Sequence, residues 1–175
     1  MEVETQAIDV SVIMQRRQID NRWQSHQWRP LEVLDTAALP PGGARCLLDD
    51  AGDTRWLFPG FAIRLFSDEG EGYYLNISSA TPCWFVMWRI ERIGAQEVAV
   101  PKAVTLSYNE AARLMDGGEQ VDTLPASAAI IERLNFFTGQ HYQPEAKRKR
   151  KKPSFEGGAG VDLMAQAEGK GDGGR

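Results

Sequence analysis

Gly72 to Ile93 reads GYYLNISSATPCWFVMWRIERI, and its second half alternates without a break. Trp84, Val86, Trp88 and Ile90 fall on one side; Phe85, Met87, Arg89 and Glu91 fall on the other. Aromatic and β-branched residues at period two mark a strand, and large apolar groups on both sides of its first four positions mark a central one. Tyr73 to Ser79 reads as its antiparallel partner, joined through Ser79-Ala80-Thr81-Pro82, where Pro82 withholds an N–H and turns the chain. This hairpin is expected to be the core of the fold.

On the N-terminal side, Ile8, Val10, Val12 and Met14 alternate with Asp9, Ser11, Ile13 and Gln15, which predicts a first strand. A polar bend follows over Arg16 to Arg22. A second strand runs over Trp28 to Leu34, demoted to an edge at Pro30. Arg45–Leu48 and Thr54–Phe58 flank the polar turn Asp49-Asp50-Ala51-Gly52-Asp53 as a hairpin. Pro59-Gly60 breaks its second arm, and Phe61 to Phe66 continues as another strand. Gly94 to Pro101 reads as loose, with a short edge strand at Glu97 to Val100.

Beyond this point the period changes. Ser107-Tyr108-Asn109-Glu110 is a capping box for a helix that ends at Gly117-Gly118 and buries Ala111, Leu114 and Met115. Pro125 is placed at the first position of a second helix, with Ala126, Ile130, Leu134 and Phe137 as its apolar stripe and Gly139 as its stop. The expected class is α+β: a twisted antiparallel sheet of about six strands, open to curling toward a half-barrel, covered by two C-terminal helices.

At 175 residues, 42% of them apolar, the chain can bury a core without staples. A single domain over residues 1–146 is expected, then a polybasic run at 147–152 and a disordered Gly-rich tail at 153–175. The acidic start MEVETQ lacks the order of a signal peptide, and the uncharged run Tyr73–Trp88 is shorter than a spanning helix requires. A cytoplasmic protein without a membrane span is therefore expected. Cys46 and Cys83 form no CxxC and are expected to be reduced and buried. A zinc site would need Cys46, Cys83, His26 and His141 to converge from four separate elements, so no metal and no cofactor is expected.

Net charge is −4, from 20 basic and 24 acidic residues. The six residues Lys147, Arg148, Lys149, Arg150, Lys151 and Lys152 are all basic, and the tail after them holds two basic and four acidic residues. Residues 1–146 therefore carry 12 basic and 20 acidic side chains, a net −8 followed by a basic clamp. The clamp reads as a solvated junction, a contact to an acidic protein, or a grip on nucleic acid. The acidic domain beside it would repel a polyanion, and no stacking aromatics are interleaved, so nucleic acid is disfavoured.

No nucleophile motif, metalloprotease helix or phosphate loop is present, and no catalytic residue is assigned. Asp49, Asp50 and Asp53 read as a solvated turn. The segment RRQIDNRWQSHQW, Arg16 to Trp28, stands out. Its arginines beside two tryptophans suit an anion or a peptide carboxylate. The reading to be expected on a surface of net −8 is that Trp23 and Trp28 anchor the core while the arginines pair with the domain's own carboxylates. The candidate partner-binding residues are Arg16, Arg17, Asn21, Arg22, Trp23 and Gln24, together with Lys147 to Lys152.

Three stretches resemble a proteobacterial family catalogued as domain of unknown function 3305: VSVIMQRRQIDNRWQSHQWRPLEV (Val10–Val33), LFSDEGEGYYLNISSATPCWFVMWR (Leu65–Arg89), and VTLSYNEAARLMDGGEQVDTLP (Val104–Pro125) with FFTGQHY and the basic run behind it. The most specific parts are Asn21-Arg22-Trp23-Gln24 and Glu110-Ala111. The chain departs from the family pattern at Ala126-Ser127 and at Tyr108. Members typically lie beside genes for formate dehydrogenase, its iron–sulfur partner and molybdoenzyme chaperones. The resemblance thus implies an accessory or maturation role, with no catalytic residues to carry over. The expected function is a non-enzymatic protein-binding module for a molybdenum- or tungsten-dependent formate dehydrogenase, its partner a subunit of that enzyme or its chaperone. The alternatives are a nucleic-acid-binding regulator using the basic run and an enzyme built around Arg22, Trp23 and His26. Oligomeric state has no signal in the sequence.

Overall fold

The structure is a computed structural model that describes residues 6–146. The polybasic run Lys147–Lys152 and the Gly-rich tail lie outside the described residues. In order the elements are β1 (Ile8–Gln18), β2 (His26–Asp35), β3 (Arg45–Asp49), β4 (Asp53–Ile63), α1 (Gly70–Ile77), β5 (Cys83–Ile93), β6 (Gln96–Thr105), α2 (Tyr108–Asp116), β7 (Gln120–Pro125) and α3 (Ala128–His141). Short 3₁₀ turns at Thr36–Ala38 and Ser67–Glu69 join them.

The α+β class holds, with every strand pairing antiparallel. The strands divide into two sheets, however: a four-stranded one in the order β2-β1-β4-β3 and a three-stranded one in the order β6-β5-β7. Among the described residues no closed barrel forms. Val10, Val12, Met14 and Phe58 from the first sheet meet Trp84, Val86, Val98 and Val104 from the second in one apolar cluster. Tyr73 of α1 and Leu134 and Phe137 of α3 complete it. As its alternation requires, β5 is central in its sheet, and Trp84 to Met87 are buried on both faces.

Proline is placed where a ladder can spare an N–H. Pro30, Pro59 and Pro101 each sit where the strand register slips by one residue, between Ile13 and Met14, between Val10 and Val12, and between Met87 and Trp88. A bulge absorbs the missing donor, so β4 runs through Pro59-Gly60 instead of breaking there. Gly60 takes a positive φ of 96°, which a side chain would resist. Likewise β6 is a full strand of 10 residues, not a short piece inside a loose segment.

Further expectations fail. Tyr73 to Ser79 is not a strand: Gly70–Ile77 is helix α1, with Gly72, Tyr73 and Asn76 on its buried face. Over eight residues a strand pattern and a helix pattern cannot be told apart by period alone. Pro125 does not open a helix but ends β7, an edge strand where its missing donor costs little. The last helix begins at Ala128 behind Ser127, whose hydroxyl accepts from the Ile130 N–H at 3.3 Å, and it passes through Gly139 to His141.

Helix α2 has its expected cap, because Ser107 Oγ accepts from the Glu110 N–H at 3.1 Å. The reciprocal half of the box differs. Thr105 Oγ1 takes the Ser107 N–H and itself donates to Glu110 at 2.7 Å. Ala111 is buried, but Met115 is exposed.

Candidate binding tip and inner pocket

Strand parity decides the fate of the arginine-rich segment. β1 extends to Gln18, so Arg16 and Arg17 belong to a strand and not to a bend. Their side chains leave on opposite faces. Arg16 follows Val10, Val12 and Met14 on the inner face; Arg17 points outward and donates to Gln27 at 3.1 Å. On that outer face Gln15 joins three strands, accepting from Arg29 and donating to Asp53, each at 3.0 Å. Asp53 also takes a two-point contact from Arg55, and hydrogen bonds from Arg55 and Gln15 hold its carboxyl below the usual carboxylate range. Part of the acidic turn is therefore tied into the sheet rather than freely solvated.

The β1–β2 hairpin closes with the Ile19 N–H bonded to the Ser25 carbonyl at 3.0 Å. Within the loop, the Asn21 side chain accepts from the Trp23 N–H at 2.9 Å, an Asx turn that holds the bend. Trp23 is 88% exposed, so it is no core anchor. The Arg22 guanidinium lies over its ring, 5.8 Å from the centroid. Asn21, Arg22, Trp23 and Gln24 are all exposed and form one tip. Trp28 does pack against the core, at its margin.

Arg16 is drawn into a different feature. Cross-strand register places Trp28, Arg16, Thr54 and Asp49 in one row across β2, β1, β4 and β3. These residues, with Trp56 and His26, line one side of a pocket of about 460 Å³, and Ile90, Gln96 and Glu97 from the β5–β6 end line the other. Trp28 covers the Arg16 guanidinium at 6.0 Å, and Arg16 makes a long 3.4 Å contact to Thr54 Oγ1. Arg16 Nε and Trp56 Nε1 are buried without a hydrogen-bond partner among the described residues. His26 Nδ1 is engaged by Ser25 Oγ at 2.8 Å. Arg22 and Trp23 do not line this pocket, so His26 is separated from the two residues grouped with it in the sequence. Trp56 and Glu97 carry no motif; only the register of β1 against β4 reveals Trp56 as a neighbour of Arg16.

A second cavity of about 480 Å³ lies between β2 and the β7–α3 junction, with mostly apolar walls. Among the described residues no group of three His, Cys, Asp or Glu side chains is placed to hold a metal ion. Cys46 is exposed, contrary to expectation, and Cys83 is half-buried with its thiol pushed up by burial. No described helix is long and apolar enough to cross a membrane.

These features define an antiparallel α+β domain with an exposed Trp–Arg tip and, between its sheets, a pocket lined by charged and aromatic side chains. The chain belongs to the family described as protein of unknown function (DUF3305), which matches residues 9–151. No curated protein and no solved structure matches it.

Proposed function

We propose that this chain is a non-enzymatic, protein-binding accessory module that docks through the tip of the β1–β2 hairpin. The observation that carries the reading is Trp23, a large aromatic held out at 88% exposure on an Asx turn. Exposing an indole forgoes roughly 2–3 kcal/mol of burial, and a fold with this many apolar contacts has no structural need to do so. Trp and Arg are the residue types most enriched where protein interfaces concentrate their energy, and here the two are stacked. Arg17, Asn21 and Gln24 would supply the polar rim around them.

The partner we propose is a subunit of a molybdenum- or tungsten-dependent formate dehydrogenase, or its chaperone, in the cytoplasm. The genomic company of the family supports that choice. The run Lys147–Lys152 would add an electrostatic contact to an acidic patch on the same partner. The test is co-purification with separately expressed formate dehydrogenase subunits and chaperone. Trp23→Ala and Arg22→Ala should each abolish capture while the melting temperature stays put. Capture that survives both substitutions removes the tip as the docking site, and absence of wild-type binding to every subunit removes the proposed partner.

A further inference from the structure

We propose that the pocket between the sheets is a binding site for a small zwitterion of the amino-acid type. Its carboxylate would be taken by Arg16 and Trp56 and its ammonium by Asp49 and Glu97. The first support is the pair of orphaned donors, Arg16 Nε and Trp56 Nε1, both buried and both without an acceptor among the described residues. Native proteins satisfy nearly all such groups, so an unpaired one calls for an acceptor supplied from outside. Two such donors fall in the lining of one cavity, on adjacent strands. A planar guanidinium and an indole N–H can share the two oxygens of one carboxylate.

The second support is charge. Two carboxylates, Asp49 and Glu97, stand exposed in the same lining against the single guanidinium of Arg16. Neither makes an ion pair among the described residues. This arrangement opposes phosphates and dicarboxylates, and it favours a ligand with one negative end and one positive end. Asp49 lies two strands from Arg16 in the same cross-sheet row, roughly 10 Å by backbone spacing, within which the side chains converge. Size and walls add the third support. About 460 Å³ lies in the range of small-molecule sites, and the Trp28 and Trp56 rings with Ile90 offer flat apolar surface to an aromatic body. Because neither orphaned donor touches solvent as the side chains stand, ligand entry requires a rotamer shift of the groups that cover them, a common accompaniment of binding.

Titration calorimetry on the full chain with each of the twenty free amino acids, up to about 10 mM, tests the proposal. Three controls accompany the panel: 3-phenylpropanoate, phenethylamine and inorganic phosphate. Binding of at least one aromatic amino acid is expected, quenching or shifting tryptophan fluorescence. Arg16→Gln and Trp56→Phe should each weaken it at least tenfold. Trp56→Phe keeps the ring that stacks on Phe58 and removes only the orphaned N–H, so the ligand-free melting temperature should hold or rise. Glu97→Gln with Asp49→Asn should erase the preference for phenylalanine over 3-phenylpropanoate. The site is overturned if no amino acid binds, or if binding ignores Trp56→Phe and Arg16→Gln. The zwitterion assignment is overturned if phosphate or 3-phenylpropanoate binds as tightly as phenylalanine.

Discussion

The Asn76 side chain pairs with the backbone of Cys83 at two points, donating to its carbonyl at 2.8 Å and accepting its N–H at 3.0 Å. A buried amide thus stands where a neighbouring strand would, at the start of β5. The same Nδ2 donates its other hydrogen to the Leu106 carbonyl at 2.9 Å, which ties α1 to the entry of α2. Asn76 is 2% exposed, so its amide has no water as an alternative to these partners.

Replacing this hub should be costly. Asn76→Ala strands one N–H and two carbonyls, and unsatisfied buried groups cost about 1–3 kcal/mol each before relaxation. A loss of about 3–5 kcal/mol is expected in urea unfolding, and Asn76→Asp should recover little because it lacks both donors. A midpoint within error of wild type would show that α1 reorganises freely.

The two tryptophans of β5 should differ in worth. Trp84 is fully within the core, and Trp84→Ala should cost about 3–5 kcal/mol. Trp88 is half-buried at the core's margin, and its indole N–H donates to Asp122 at 2.6 Å across to β7. Trp88→Phe should cost about 1–2 kcal/mol, mostly the lost charge-assisted bond. Equal losses for Trp84→Ala and Trp88→Phe would contradict this ranking.

Tyr73 should make the fold sensitive to alkali. Its hydroxyl accepts from the Phe66 N–H at 3.1 Å, and burial, with Glu69, Glu110 and Asp68 nearby, pushes its pKa up to about 12. A raised folded-state value means that the unfolded chain loses the proton first. The contribution is thus complete below about pH 10 and disappears as pH rises toward 12, a loss on the order of 2–3 kcal/mol. Tyr73→Phe should flatten stability between pH 9 and 11, measured by urea midpoints at each pH.

Two glycines should respond in opposite directions. A Cβ on Gly72 would sit 2.1 Å from Ser107 Oγ and 3.3 Å from the Asn109 nitrogen, so Gly72→Ala forces α1 away from α2. A cost of about 1–3 kcal/mol is expected. At Gly139, within α3, nothing lies within 4 Å of an added Cβ, and Gly139→Ala should stabilise by up to about 1 kcal/mol. Thermal melts of the two variants check both signs.

Local pattern alone determined the elements whose signal is long or chemically distinctive. β5 is legible because eleven residues alternate with large groups on both faces, and α2 because a hydroxyl cap precedes its first turn. The β3–β4 hairpin follows from its polar turn, and β2's place at an edge follows from Pro30. Tertiary structure decided the rest. Gly70–Ile77 is rich in residues that also suit strands, and it is helical because that period puts Tyr73 in the core and Asn76 on Cys83 together. β7 is six residues with an acidic group and a proline, too weak a pattern to announce a strand, and it exists because β5 has an open edge to pair. The split between Arg16 and Arg17 depends on how far β1 extends, since parity sends one inward and the other outward. Trp23 was one of five similar tryptophans in composition, and only the three-dimensional path of the hairpin leaves it outside the core. Burial is a property of what packs opposite a residue, and that partner is set by register and sheet order rather than by the residue's own neighbours in the chain.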